Sequence, residues 1–224
     1  MFIGHFGLGL AGKAAVPRVS LGTWFAAVQL LDLLWPIFLL LGWEHVRVAP
    51  GITRLTPLDF YDYPITHSLV GALAWAVAFA SLYGLLQPAA RWRLASLLGL
   101  GVLSHWVLDL LVHRPDLGLL PHGPYVGLGL WNLPAAELPL EVALYAGGAA
   151  LYLRRTRPRP EAGAAGRYGT WLLLLALPAF WVAAVFGPPP PDPRVLAYGG
   201  LSLWLFVLWG WWSDRRREPA PEPR

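Results

Sequence analysis

In the stretch Ser104-His105-Trp106-Val107-Leu108-Asp109-Leu110-Leu111-Val112-His113-Arg114, every fourth residue from His105 is of a type that can hold a metal or move a proton. On a helix of about 3.6 residues per turn, positions four and eight apart share a face, so His105, Asp109 and His113 form one polar stripe. The stripe lies in an apolar run, residues 94–112. At about 1.5 Å per residue, such a run covers most of a hydrocarbon core about 30 Å thick. Ionisable groups at that depth are costly and mark ion pathways, proton relays or bound metal. An imidazole and a carboxylate one turn apart can converge on one divalent ion, which offsets the cost of burying the charge. The competing reading is packing, in which a histidine in an apolar helix simply hydrogen-bonds a neighbouring carbonyl.

The elements that must position these groups follow from composition. The chain has 224 residues, 56% hydrophobic and 13% charged, with 13 tryptophans. That balance excludes an ordinary soluble domain and predicts an all-α, polytopic membrane helical bundle. No cysteine is present, so disulfides and thiolate sites are excluded and any metal is held by nitrogen and oxygen. The excess of basic residues informs topology, and nothing indicates a nucleic-acid partner. Residues 1–16 are too short to cross and read as a half-crossing helix carrying His5, whose glycines at positions 4, 7, 9 and 12 allow close helix approach. Full spans are expected at residues 20–43, 65–87, 94–112, 135–153, 168–186 and 196–212. The first is interrupted by Gln29, Asp32 and Pro36. One integral membrane domain is expected over residues 1–214, with the site in residues 1–153 and two additional spans in residues 168–212. Pro188 to Pro191 form a stiff extended turn, and residues 215–224 form a disordered cytoplasmic tail.

Arginines and lysines gather at Lys13 and Arg18, at Arg91 and Arg93, at Arg154 through Arg167, and at Arg215 to Arg217. The positive-inside rule puts these segments and both termini in the cytoplasm, with residues 44–64, 114–134 and 187–194 outside. Counted upward at about 1.5 Å per residue, His5 lies about 12 Å above the cytoplasmic turns, Asp32 and His105 about 18 Å, Asp109 about 24 Å and His113 about 30 Å. His67 opens the second span from the outer side, and Glu137 and Glu141 stand one turn apart at the start of the fourth. All of these residues could line one cavity in the outer half of the membrane. For Glu137 and Glu141 the alternative is an exposed turn complementing a helix N-terminus. In Thr66-His67-Ser68, Thr66 or Ser68 could serve as an N-cap.

On Gly4-His5, the aspartate ending an apolar run at Asp32, Thr66-His67-Ser68, and Ser104-His105 followed by Asp109, the chain resembles a bacterial inner-membrane family described as LexA-binding, metal-dependent hydrolases. The resemblance covers about the first 145 residues. That family is in turn similar to the secreted zinc-dependent phospholipases C and single-strand nucleases, all-helical enzymes with a three-zinc cluster. In their ligand order, the resemblance implies His5, Asp32, His67, His105, Asp109, His113, Glu137 and Glu141 as metal ligands. The chain departs from the pattern at three places. Glu137 stands where a histidine is usual, Leu34 replaces a second aspartate, and Asp62 stands where an upstream histidine often lies.

The expected function is therefore a metal-dependent phosphoester hydrolase with two or three divalent ions, zinc first among them. Its substrate would be a membrane lipid or a lipid-linked phosphate. Asp32 would bridge two ions; His67, His105 and Asp109 would hold one, His113 and Glu141 the other, and His5 would complete a third. Two ions about 3.5–4 Å apart lower the pKa of a shared water and steady charge on a phosphoryl group. Arg114, just past His113, could hold a phosphate oxygen or be an ordinary interfacial arginine. The alternative function is a small transporter or channel in which the same residues form a proton or ion pathway. The lack of an internal repeat disfavours it.

Overall fold

A computed structural model describes residues 1–87 and 91–221 of the chain. The chain folds as a helical bundle. Helix α1 (Ile3–Ala15) is followed by α2 (Leu21–Val28) and α3 (Leu30–Leu41), a pair bent by 58° at Gln29. Next come the hairpin strands β1 (His45–Val48) and β2 (Leu58–Asp62), the one-turn helix α4 (Pro64–His67), α5 (Leu69–Leu86) and α6 (Arg91–Val112). Strands β3 (Leu117–Gly118) and β4 (Tyr125–Val126) lead into α7 (Pro134–Arg155) and β5 (Thr156–Pro158). The chain then runs through α8 (Gly163–Phe186), α9 (Pro193–Leu201), α10 (Leu203–Asp214) and β6 (Arg217–Pro219). Each strand pair is antiparallel and two-stranded.

Local chemistry sets several helix starts. Ser20 caps α2 by accepting from the Thr23 amide at 3.1 Å, and Ser68 caps α5 by accepting from the Gly71 amide at 3.0 Å. Asp192 accepts from the Arg194 and Val195 amides ahead of α9, where Pro193 occupies the first helical position. Gly42, at φ 70°, ends α3 in the left-handed conformation that suits a residue without a Cβ.

Two apolar cores hold the bundle together. One gathers Ile3, Phe6 and Leu10 of α1 with Phe25, Leu177 and Phe206. The other gathers Trp24, Leu31 and Trp35 with Ala72 of α5 and Leu98, Val102 and Trp106 of α6. Helix α1 lies directly on α7, since a Cβ at Gly7 or Gly148 would overlap main-chain atoms of the other helix. Around the outside, α5 exposes Leu73, Val77, Leu85 and Leu86, and α8 exposes Leu172, Leu175, Val182 and Phe186. Among the described residues, four helical stretches are long and apolar enough to cross a membrane, or five with the bent pair taken as one.

Three sequence expectations change here. The span over residues 20–43 is broken, because the chain turns at Gln29 while Pro36 stays inside a continuing α3. The expected span at residues 135–153 is a 22-residue helix, α7, but it carries Glu137, Glu141, Arg154 and Arg155 and is not among the stretches apolar enough to cross. Finally, the tail expected to be disordered from residue 215 instead pairs Arg217 to Pro219 with Thr156 to Pro158. There the Arg217 guanidinium is buried, donating to the Thr156 hydroxyl at 2.9 Å and carbonyl at 2.7 Å. Residues 222–224 of that tail lie outside the described residues.

Candidate metal centre

The site forms where the break in α2–α3 meets α1, α4 and α6. Ending α2 at Val28 leaves its last carbonyls without partners in their own helix, and the Val28 carbonyl accepts from Nδ1–H of His105 at 2.8 Å. A carbonyl can only accept, so Nδ1 carries the hydrogen, and in the neutral ring Nε2 of His105 is a lone pair. Restarting the helix at Leu30 puts Asp32 in the first turn of α3, where the helix dipole favours a carboxylate. One break thus orients two of the groups.

His67 is fixed in the same way through a longer chain. The Thr66 hydroxyl donates to Oε2 of Glu44 at 2.8 Å and so accepts from Nδ1–H of His67 at 2.6 Å. Glu44, 1% exposed, is itself held by the amides of Ile65 and Thr66 at 2.7 and 2.8 Å. Nε2 of His67 is left facing the carboxylates. It lies 3.4 Å from Oδ1 of Asp32 and 3.8 Å from Oδ2 of Asp109. Nε2 of His105 lies 3.7 and 3.2 Å from the same two oxygens, yet it has no hydrogen-bond partner.

Imidazole lone pairs facing carboxylates in a buried site repel unless a positive charge lies among them. The spacing fits a metal. Donors bound at about 2.0–2.1 Å in tetrahedral geometry stand about 3.3 Å apart. Two donor sets meet at His105: His5, His105 and Asp109, and Asp32, His67 and His105, with ligand atoms within 4.8 Å of one another in each set. His5 stacks flat on His105 with ring centroids 3.8 Å apart, and its Nε2 lies 3.2 Å from Oδ1 of Asp109. The Met1 amino group donates to that same oxygen at 2.8 Å.

The remaining expected ligands share the cavity but not these donor sets. Glu141 is buried and spends one oxygen on the Phe2 amide at 2.7 Å and the other on the Gly4 amide at 3.0 Å, so it caps α1 and sets the position of His5. Glu137 is 2% exposed, with one oxygen unpartnered, and the alternative of an exposed turn fails for both glutamates. His113 follows the end of α6, and its Nδ1–H donates to Oδ1 of Asp116 at 2.9 Å while its ring rests on Trp131. Tyr63 also contacts His113 Nδ1, at 3.2 Å. Burial and the charge of Asp116 push the Tyr63 phenol well above its usual range, so it stays a neutral hydroxyl.

Arg114 is ion-paired with Asp59 and, at 2.8 Å, with Asp116, and it does not line the cavity. Arg114 is thus engaged in ion pairs that tie β2 to the segment after α6, and the structure places it apart from the residues lining the cavity.

The cavity has a volume of about 560 Å³. Asp32, His67, Asp109, His113, Glu137 and Glu141 line it. So do Phe180, Trp181 and Ala184 of α8, Pro188 to Pro190, and Leu196 and Leu203. Sequence reasoning missed Glu44 and Asp116, whose roles come only from the fold. No family model, curated protein or solved structure matches this chain.

Proposed function

We propose that the protein is a membrane-embedded, metal-dependent hydrolase of phosphoesters, acting on a lipid or lipid-linked phosphate. One observation carries the reading. Two imidazoles, each held through Nδ1, converge on the carboxylates of Asp32 and Asp109 in the wall of a cavity whose lining is otherwise largely apolar. Such donors suit a divalent ion, zinc first, which when bound supplies an acidified water and positive charge for phosphoryl oxygens. The chain's own groups divide the remaining work. Asp32, with 22% of its side chain exposed, is the carboxylate presented to the cavity, whereas Asp109, at 3%, binds the inner groups. Asp116 and Trp131 orient His113 at the cavity edge, leaving its Nε2 uncommitted to accept or give a proton.

We place the chain in a bacterial inner membrane with six crossings, α7 included, the C-terminus cytoplasmic and the cavity in the outer half; the N-terminus expected in the cytoplasm is instead inside the bundle, because the Met1 amino group is buried against Asp109. The arginine distribution supports this, as does α7 itself, whose glutamates turn into the bundle while Arg154 and Arg155 stand at its far end.

The test is metal content and hydrolysis of phosphatidyl and prenyl phosphates, measured on the same detergent-purified samples of wild type and Asp32→Asn. Wild type should carry stoichiometric metal and lose activity to a chelator. Asp32→Asn should lose at least one ion and about a hundredfold in rate. A metal-free wild type, or equal hydrolysis by both proteins, defeats the proposal. Proton flux without bound metal would favour the transporter alternative.

A further inference from the structure

On the hairpin side of the bundle the acidic side chains are already committed. Asp59 holds Arg47 and Arg114, Asp116 holds Arg114 and His113, and Asp62 holds His45. Arg54 is different. It lines the cavity, it is exposed, and among the described residues it has no ion pair or side-chain hydrogen bond. It is also the one arginine or lysine among the residues lining that cavity.

Its backbone is firmly held. Within the loop joining β1 to β2, the Ala49 amide donates to the Pro57 carbonyl at 2.6 Å and the Ile52 amide to the Ala49 carbonyl at 3.1 Å. The Thr53 hydroxyl donates to the Thr56 carbonyl at 2.8 Å and accepts from the Thr56 amide at 2.9 Å, closing the turn that presents Arg54. An unpaired arginine on a held backbone therefore shares one cavity with the His/Asp cluster and with the apolar wall of α8 and α9.

We infer that Arg54 is a specificity-determining residue that binds an anionic group of the substrate lying beyond the ester held at the cluster. The preferred ligand is then an amphiphile with an apolar chain and a second, terminal phosphate. A guanidinium suits this role because its planar fork binds phosphate oxygens in pairs. The apolar wall favours a lipid-linked diphosphate over a soluble one, since a free diphosphate leaves that wall without a partner. The inference rests on the proposed function for where the ester sits, while its binding test does not require turnover.

The test uses full-length, metal-supplemented protein in detergent, with binding and hydrolysis of farnesyl monophosphate, farnesyl diphosphate and inorganic diphosphate measured side by side. Wild type should bind the farnesyl diphosphate about tenfold tighter than the monophosphate, a typical margin for a charge-assisted bidentate pair. Arg54→Gln should abolish that margin, and Arg47→Gln, which alters a hairpin arginine that does not line the cavity, should keep it. Loss of the margin in both variants, an unchanged margin in Arg54→Gln, or no binding of either farnesyl ligand overturns the inference. Equal affinity for inorganic diphosphate overturns the lipid-linked choice. Arg54-dependent binding without any hydrolysis leaves this inference standing and sinks the hydrolase reading instead.

Discussion

At the scale of single residues, the centre depends on hydrogen bonds that fix which imidazole nitrogen is free. For His67 the controlling group is the Thr66 hydroxyl, backed by Glu44. Thr66→Val keeps the shape and removes the acceptor, so Nδ1–H loses its partner and the ring can turn. Metal affinity measured by chelator competition should fall about 10–100-fold while Thr66→Ser stays near wild type. Unchanged affinity in Thr66→Val would remove this chain of bonds from the account. The residues that meet at the centre were legible in the sequence, because His5, Asp32, His67, His105 and Asp109 are ionisable types inside apolar runs. Their supports were not. Glu44 looks like any residue closing an apolar segment, and the spacing that puts His113 on the stripe of His105 and Asp109 ignores that α6 ends at Val112 and that Asp116 captures the ring.

At the scale of elements, the positions of helices were readable, and the polar interruptions of the first span were too, but not which of them breaks the helix. The apolar run over residues 20–43 reads as one span, and Pro36, the obvious breaker, sits within continuing helix. The real break falls at Gln29, where no glycine or proline advertises it, and it releases the Val28 carbonyl and starts the helix that carries Asp32. The close packing of α1 on α7 was foreshadowed by the glycines of α1, although their partner Gly148 was not. Two neighbouring glycines of α7 give a direct comparison. A Cβ at Gly148 meets the main chain of Gly7, whereas one at Gly147 meets nothing within 4 Å. Gly148→Ala should therefore cost about 1–3 kcal/mol through forced separation of α1 and α7. It should also reduce bound metal by shifting His5. Gly147→Ala should be neutral or stabilising by up to about 1 kcal/mol, as expected for alanine in a helix interior. Thermal unfolding in detergent with metal analysis checks both, and equal effects at the two positions would contradict the close approach.

At the scale of the whole molecule, composition and arginine placement carried most of what could be read, namely a predominantly helical chain with an apolar exterior. The crossing count was harder, because α7 buries Glu137 and Glu141 but exposes Arg154 and Arg155 at its far end, and it is not among the stretches apolar enough to cross. The proposed orientation is testable because the chain has no native cysteine. Glu161→Cys should label with a membrane-impermeant maleimide only after the cell is opened, and Gly51→Cys in intact spheroplasts. The reverse pattern would invert the topology. The centre also joins distant parts of the chain. The Met1 amino group meets Asp109, the Gly4 amide meets Glu141, and Asp32 waits on histidines that follow it in the sequence. During synthesis, the broken α2–α3 pair leaves the ribosome with its carboxylate uncompensated, and a nascent chain ending before residue 105 has not yet supplied the imidazole that the Val28 carbonyl orients. The bend at Gln29 thus leaves the first helices with a carbonyl and a carboxylate whose partners, His67 and His105, come only from helices made later.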